Sequence, residues 1–265
     1  MLYVNGREIS PSKFPDGTSS FRFEPNCLYY KISWKYEGDN ECMMLWYLVN
    51  HIRSKSKNNT LYWIDLFMPY IPNARMDRVK NPDEVFTMKW FAQFINSLNF
   101  NSVIVFDAHS NVSLSLIDRV EQLSIGWYVH RAINMAGGDV LLCYPDEGAA
   151  KRYQEIIQRE HVFCIKRRCW RDGKIERLDL VGAEKVAGKD VLIVDDICSK
   201  GGTFLHTAKA LKEAGANHIF LYVSHCENTV LDGEMIKSGL IDKVFTTNSI
   251  LTKEDERIEV FNLWT

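Results

Sequence analysis

No apolar run in the chain approaches the ~18 residues that a membrane-crossing helix needs, and the opening segment MLYVNGREIS lacks the basic-then-apolar layout of a secretory signal. Neither sign of charge dominates. Lys and Arg number 32 against 34 Asp and Glu, a net charge of −2, so no global basic field draws the protein to nucleic acid or to an anionic membrane. Any handling of phosphate therefore has to be local. The seven cysteines, at 27, 42, 143, 164, 169, 198 and 226, are odd in number, scattered and without a C-x-x-C pair. That argues against a disulfide framework or a zinc ribbon and for reduced thiols in the cytoplasm. Low-complexity tracts, short-period repeats and the G-x-x-x-x-G-K-[ST] loop of many ATP-binding proteins are also missing.

What is present has the balance of a soluble globular protein, 46% hydrophobic and 25% charged. At about 150 residues per domain, 265 residues make roughly two domains or one large one. Short apolar runs rich in β-branched and aromatic residues, at 61–67, 102–106, 140–144, 161–165, 191–194 and 218–223, alternate with amphipathic stretches at 84–98, 149–160 and 204–214. Near-continuous apolar strands separated by helices of this length indicate a parallel sheet covered on both faces. Gly215 is a helix stop before the next strand. The first ~60 residues differ: prolines, Gly17 and alternating aromatics over 14–36 predict a β-hairpin, 40–53 a helix, and SKSKNNT (54–60) a polar connection. VIVFDAHS (103–110) and VLIVDDICS (191–199) resemble each other, each an apolar strand running into an acid. The expected fold class is α/β, with two similar parallel-sheet domains at 1–133 and 134–265.

Ligands of open α/β sheets bind beyond the carboxyl ends of the strands. After 61–67 comes MPYIPNARMDR, with Arg75, Asp77 and Arg78; after 102–106 come Asp107 and His109; after 140–144, Asp146. The run 161–165 leads into Lys166, Arg167 and Arg168, and 191–194 leads into DDICSKGGT. Carboxylates, one histidine and several cations are what a metal-chelated polyphosphate needs: ligands for Mg²⁺, and Arg or Lys for the phosphate charge. In DDICSKGGT, Gly201 and Gly202 let backbone N–H groups approach a phosphate, and Thr203 adds a hydroxyl where the next helix begins. Asp195 and Asp196 can grip vicinal sugar hydroxyls or a metal.

VDDICSKGGT resembles the phosphoribosyl-pyrophosphate loop shared by type I phosphoribosyltransferases and phosphoribosyl-pyrophosphate synthetases. The rest of the chain separates the two groups. PYIPNARMDR is similar to the synthetases' Pro-Tyr-Phe-Gly-Tyr-Ala-Arg-Gln-Asp-Arg, FDAHS to their Asp-Leu-His-Ala, and YPDEGAAKR to their Ser-Pro-Asp-x-Gly-Gly. IKRR is similar to their Asp-Lys-Arg-Arg, FPDGT to their Phe-Ser-Asp-Gly-Glu, and TTNSI to their Thr-Asn-Thr-Ile. The matches run in family order from Phe14 to Ile250, and the chain is identified as a member of the synthetase family, with type I phosphoribosyltransferase-like domains.

The resemblance implies transfer of a pyrophosphoryl group from Mg-ATP to the anomeric hydroxyl of a ribose phosphate, with AMP leaving. It implies Lys166 and Arg168 as the cations that stabilise the migrating group, followed by a mobile charged segment at 171–177. His109 and Asp146 would hold the metal and the ATP phosphates. Arg75, Asp77 and Arg78 would form the ATP loop, with Arg75 stacked on adenine. Phe14 would cover the other side of the base and Asp16 would lie near its edge, both reaching in from a neighbouring subunit of a homo-oligomer. Asp195 and Asp196 would hold the ribose hydroxyls, and Ser199, Lys200, Gly201, Gly202 and Thr203 the 5-phosphate.

Thr18 stands where the family has Glu, Met76 where it has Gln, and Ser199-Lys200 where it has Asp-Thr. The first two remove polar contacts from the nucleotide region. The third adds a cation at the 5-phosphate, which suits a 5-substituted acceptor such as ADP-ribose in an NAD-rebuilding pathway as well as ribose 5-phosphate. The chain is also short for the family at both ends, from which a smaller assembly such as a dimer, with weak allosteric control, is expected. A phosphoribosyltransferase and a non-catalytic regulatory homologue remain as other readings.

Overall fold

The apolar runs fold into strands and the amphipathic stretches into helices, in two units, Met1–Leu123 and Ser124–Thr265. The computed structural model describes residues 1–55, 62–168 and 175–264, with the side chains of 166–168 and 175–177 left aside.

The first unit runs β1 (Leu2–Val4), β2 (Arg7–Ile9), β3 (Ser12–Lys13), β4 (Ser19–Ser20), β5 (Tyr29–Trp34), α1 (Asn40–Ser54), β6 (Trp63–Phe67), α2 (Thr87–Ser97), β7 (Ser102–Phe106), α3 (Asn111–Leu116) and β8 (Val120–Leu123). Its six-stranded sheet has the order β2-β1-β5-β6-β7-β8, with β5 to β8 parallel and β1 and β2 antiparallel at one edge. The hairpin expected over 14–36 is confined to β3–β4 around Phe14 to Thr18, and a second one, β1–β2, lies before that range, turned at Asn5 and Gly6 with φ of 48° and 81°. Asn-Gly supplies the positive φ at both central residues that a two-residue hairpin turn requires. The remainder, β5, enters the main sheet because Tyr30, Ile32 and Trp34 are fully buried on alternate positions.

The crossovers from β5 to β8 all step in one direction, so right-handed connections put α1, α2 and α3 on one face. Leu45, Leu48 and Ile52 of α1 and Met88, Phe91 and Ile95 of α2 pack in one core with Ile32, Leu66 and Val105. Each such buried side chain contributes about 1.5–3 kcal/mol, which holds helices whose isolated stability is marginal. The opposite positions Tyr29, Lys31, Trp63, Asp65 and Ile104 are exposed or half-buried. The expectation of helices on both faces is therefore corrected for this unit: its helices share one face because its strand order never reverses.

The second unit runs α4 (Gly126–Met135), β9 (Val140–Tyr144), α5 (Glu147–Ile157), β10 (His161–Arg168), β11 (Ile175–Val181), β12 (Asp190–Cys198), α6 (Gly202–Glu213), β13 (Ile219–Cys226), α7 (Glu234–Lys237), β14 (Lys243–Thr247) and β15 (Ile258–Phe261). The seven strands are ordered β11-β10-β9-β12-β13-β14-β15, all parallel except β11. The winding reverses between β9 and β12, where a doubly wound sheet leaves a crevice at its strand ends. The unit begins at Ser124, ten residues ahead of the expected start at 134, and helix α4 belongs to it because Tyr128 and Arg131 pack on the Phe261 ring of β15, at 6.4 and 4.7 Å. Gly215, at φ 89°, closes α6 as expected.

The run expected to stop at 165 continues through Arg168, since β11 offers it an antiparallel partner, with Lys166 opposite Leu178. The basic residues therefore sit on a strand, not beyond one. The six described cysteines are unbridged, and among the described residues no helix is long and apolar enough to cross a membrane.

Candidate active site

Strand β9 pairs in parallel with β12, Cys143 opposite Ile193, so the two chains leave the sheet side by side at the reversal point. Asp146 caps α5 there, its Oδ1 accepting the Ala149 N–H at 3.0 Å. Asp195 and Asp196 end the apolar part of β12. Burial pushes the Asp195 carboxyl well above the usual carboxylate range, and the charges of Asp196 and Asp146 add to the shift. Asp196 is 3% exposed and its Oδ2 lies 3.2 Å from Nη1 of Arg152 on α5. The adjacent aspartates thus have unequal surroundings: one faces carboxylates, the other a guanidinium.

The loop that follows is built against the segment before and within α7. Ser199 Oγ lies 3.2 Å from Thr229 Oγ1, whose hydroxyl donates to Glu227 Oε2 at 3.2 Å. The Glu227 N–H donates to the Cys198 carbonyl at 2.8 Å. Gly201, at φ 78°, precedes α6, and a Cβ there would stand 2.6 Å from Met235 Sδ. A Cβ at Gly202 would meet nothing within 4 Å, so space opens over the first turn of α6. That turn contains no acidic residue, and its N–H groups and dipole suit an anion. Lys200 is exposed, Ser199 and Thr203 half-exposed.

Lys166 and Arg168 lie on β10 by backbone, but their side chains are outside the described residues, as is most of the 171–177 segment. In the first unit the proline-restrained loop and the Asp107–His109 stretch leave adjacent strands and are stitched together, Phe106 N–H donating to Pro69 O at 3.0 Å. Arg75 and Arg78 are exposed, and Asp77 lies 3.6 Å from Arg78 Nε. His109 is half-buried behind Asp107, which is 2% exposed and at φ 44°.

Phe14, 56% exposed, tips the β3–β4 turn. Asp16 Oδ1 accepts from Thr18 N–H and Oγ1–H at 2.9 and 2.7 Å, which lowers the Asp16 carboxyl pKa. Thr18 therefore locks its own turn. Phe14 lines a groove of about 1330 Å³ with Arg7, Arg22, Trp46 and His51, and neither Arg75 nor Arg78 lines it.

Among the described residues no three His, Cys, Asp or Glu side chains form a closed metal cage. The carboxylate of Asp146 nevertheless offers oxygen donors of the kind Mg²⁺ takes, since that ion is usually held by one or two carboxylates with the remaining positions left to water and phosphate. Sequence reasoning missed Arg152, Gly233 and Met235. Neither the position of Arg152 in α5 nor the run DGEM marked them in the sequence.

A family profile described as phosphoribosyl synthetase-associated domain matches residues 173–262. The chain is similar to ribose-phosphate pyrophosphokinase of Listeria ivanovii, 29% identical over 266 residues, covering 94% of this chain and 80% of the relative. It is also similar to that of Bacillus subtilis, 28% identical, with 96% and 81% covered. Among solved structures, phosphoribosylpyrophosphate synthetase from Mycobacterium smegmatis shares the fold, with a TM-score of 0.77 and 18% identity over 97% of this chain and 86% of that one.

Proposed function

We propose that the chain is a member of the phosphoribosyl-pyrophosphate synthetase (ribose-phosphate pyrophosphokinase) family, a pyrophosphoryl transferase acting on ATP and a ribose phosphate in the cytoplasm, as a homo-oligomer. The observation that carries the proposal is the adjacent Asp195 and Asp196 leading into a glycine turn at the start of α6, at the point where the second sheet reverses.

In this reading the aspartates hold the two ring hydroxyls of the acceptor. The loop from Ser199 to Thr203 takes its 5-phosphate through backbone N–H groups and hydroxyls. The anomeric oxygen, positioned by those contacts, attacks the β-phosphorus of ATP in line, the bond to the α-phosphoryl oxygen breaks, and AMP departs. Lys166 and Arg168 meet the charge that grows on the migrating group. Arg75, Asp77 and Arg78 bind the nucleotide, with Phe14 and Asp16 supplied by a neighbouring subunit. That division of labour is supported by Phe14 lining a groove that Arg75 and Arg78 do not line. His109 and Asp146 would each offer a ligand to Mg²⁺, which would neutralise phosphate charge.

The exposed Lys200 favours an acceptor with extra negative charge or bulk at the 5-position, ADP-ribose in the finer reading. AMP formation from ATP and Mg²⁺, measured against ribose 5-phosphate and ADP-ribose, tests both levels. Turnover of ribose 5-phosphate alone removes the finer reading. Turnover with neither removes the coarser one and leaves a regulatory homologue, while pyrophosphate-dependent base transfer indicates a phosphoribosyltransferase. Light scattering tests the dimer; a stable hexamer contradicts it.

A further inference from the structure

We infer that Arg152 is a positioning residue for the acceptor: it holds the Asp196 carboxylate in the orientation in which that group meets the sugar hydroxyls. This rests on the assignment of Asp196 to ribose made above and extends the site to a residue on a neighbouring helix.

The geometry has three parts. Asp196 is 3% exposed, so its charge requires a partner inside the protein. Its sequence neighbour Asp195 is another carboxyl and brings no positive charge; the cation comes from α5, where Arg152 Nη1 lies 3.2 Å from Asp196 Oδ2. Arg152 is itself held: its guanidinium carbon sits 5.5 Å from the Tyr153 ring centroid and Nη1 donates to Tyr153 OH at 3.4 Å. Tyr153 is fully buried. A chain of fixed contacts thus runs from the buried face of α5 to one carboxylate of the pair.

Planarity explains why the residue is arginine. A guanidinium projects its N–H groups in a rigid fork, so it fixes the direction of a carboxylate as well as its charge. A carboxylate that must present an oxygen to a sugar hydroxyl benefits from having its rotation set in advance, since less freedom is lost on binding. Helix α5 is anchored at its start by the Asp146 cap, six residues before Arg152. The cap and the arginine therefore move together or not at all.

The test is steady-state kinetics on Arg152→Ala, with calorimetric titration of ribose 5-phosphate in the absence of ATP. The expected result is a KM and Kd for ribose 5-phosphate raised about tenfold to a hundredfold, the scale of a lost charge-assisted hydrogen bond, with KM for ATP within about threefold of wild type. Arg152→Lys, which keeps the charge and loses the fork, should recover part of the affinity. Where the alanine variant does not fold, Arg152→Gln carries the same comparison. Unchanged ribose 5-phosphate affinity in a folded variant overturns the inference while leaving the proposed function intact, as does a loss confined to KM for ATP. A wild-type chain that neither binds nor turns over ribose 5-phosphate overturns both.

Discussion

Gly233 rests directly on the backbone of Lys200: a Cβ at Gly233 would lie 2.1 Å from the Lys200 carbonyl oxygen. The anion loop is therefore not a free turn but one face of a backbone-to-backbone contact. Gly233→Ala must displace either the loop or the segment leading into α7, at about 1–3 kcal/mol. The melting temperature should fall by several degrees and affinity for ribose 5-phosphate should drop with it. Gly202→Ala is the contrast, because its new methyl meets no protein atom. It should melt like wild type yet bind ribose 5-phosphate less well, since the methyl occupies ligand space. Equal binding by that variant removes Gly202 from the phosphate contact.

Replacing Lys166 by Ala should lower kcat by orders of magnitude while calorimetric ATP affinity stays near wild type. That split marks a contact made in the transition state and not in the ground state. A variant with the wild-type rate removes Lys166 from its proposed role.

The raised Asp195 carboxyl has a stability consequence of definite sign. A group whose folded pKa lies above its unfolded one favours the fold while protonated and disfavours it once ionised. The protein should therefore lose stability as pH climbs from the ordinary aspartate range through the raised value. Asp195→Asn should flatten that dependence, melt higher at neutral pH, and lose acceptor binding. Denaturant titrations at several pH values measure the first two; a variant less stable at pH 7 contradicts the reading of the site as a strained carboxylate pair.

Asp255 shows the opposite sign. Arg257 donates from Nε and Nη2 to its two oxygens at 2.8 and 2.7 Å, and this holds the carboxyl down at about 2. Its contribution is present above the ordinary aspartate value and disappears as pH falls through about 2. The pair is near the surface, so water screens it. Asp255→Asn should lower the melting temperature by only about one or two degrees at pH 7 and by nothing measurable near pH 2. A drop that persists in acid would show that the aspartate acts by packing.

The strands β7, β9 and β12 were legible because an apolar run ending in an acid has few other uses, and the turn into α6 because paired glycines there mark a strand-to-helix connection. The extension of β10 was hidden, since Lys-Arg-Arg reads as a solvated run until an antiparallel neighbour is known. Arg152 was hidden for a related reason: on α5 it looks like any solvent-face cation, and its value comes from a carboxylate 44 positions away in the chain.

By itself the amino-acid order determined the α/β class, the resemblance to the synthetase family and the residue types proposed to hold phosphates and a sugar, because local periodicity and short motifs carry that information. Only the tertiary structure decided which face of the first sheet the helices cover, that β9 and β12 flank the reversal, that Gly233 supports Lys200 and that Arg152 reaches Asp196. Those facts depend on strand order and on contacts between residues far apart in the chain, and a periodicity of two or of 3.6 residues reports only on neighbours.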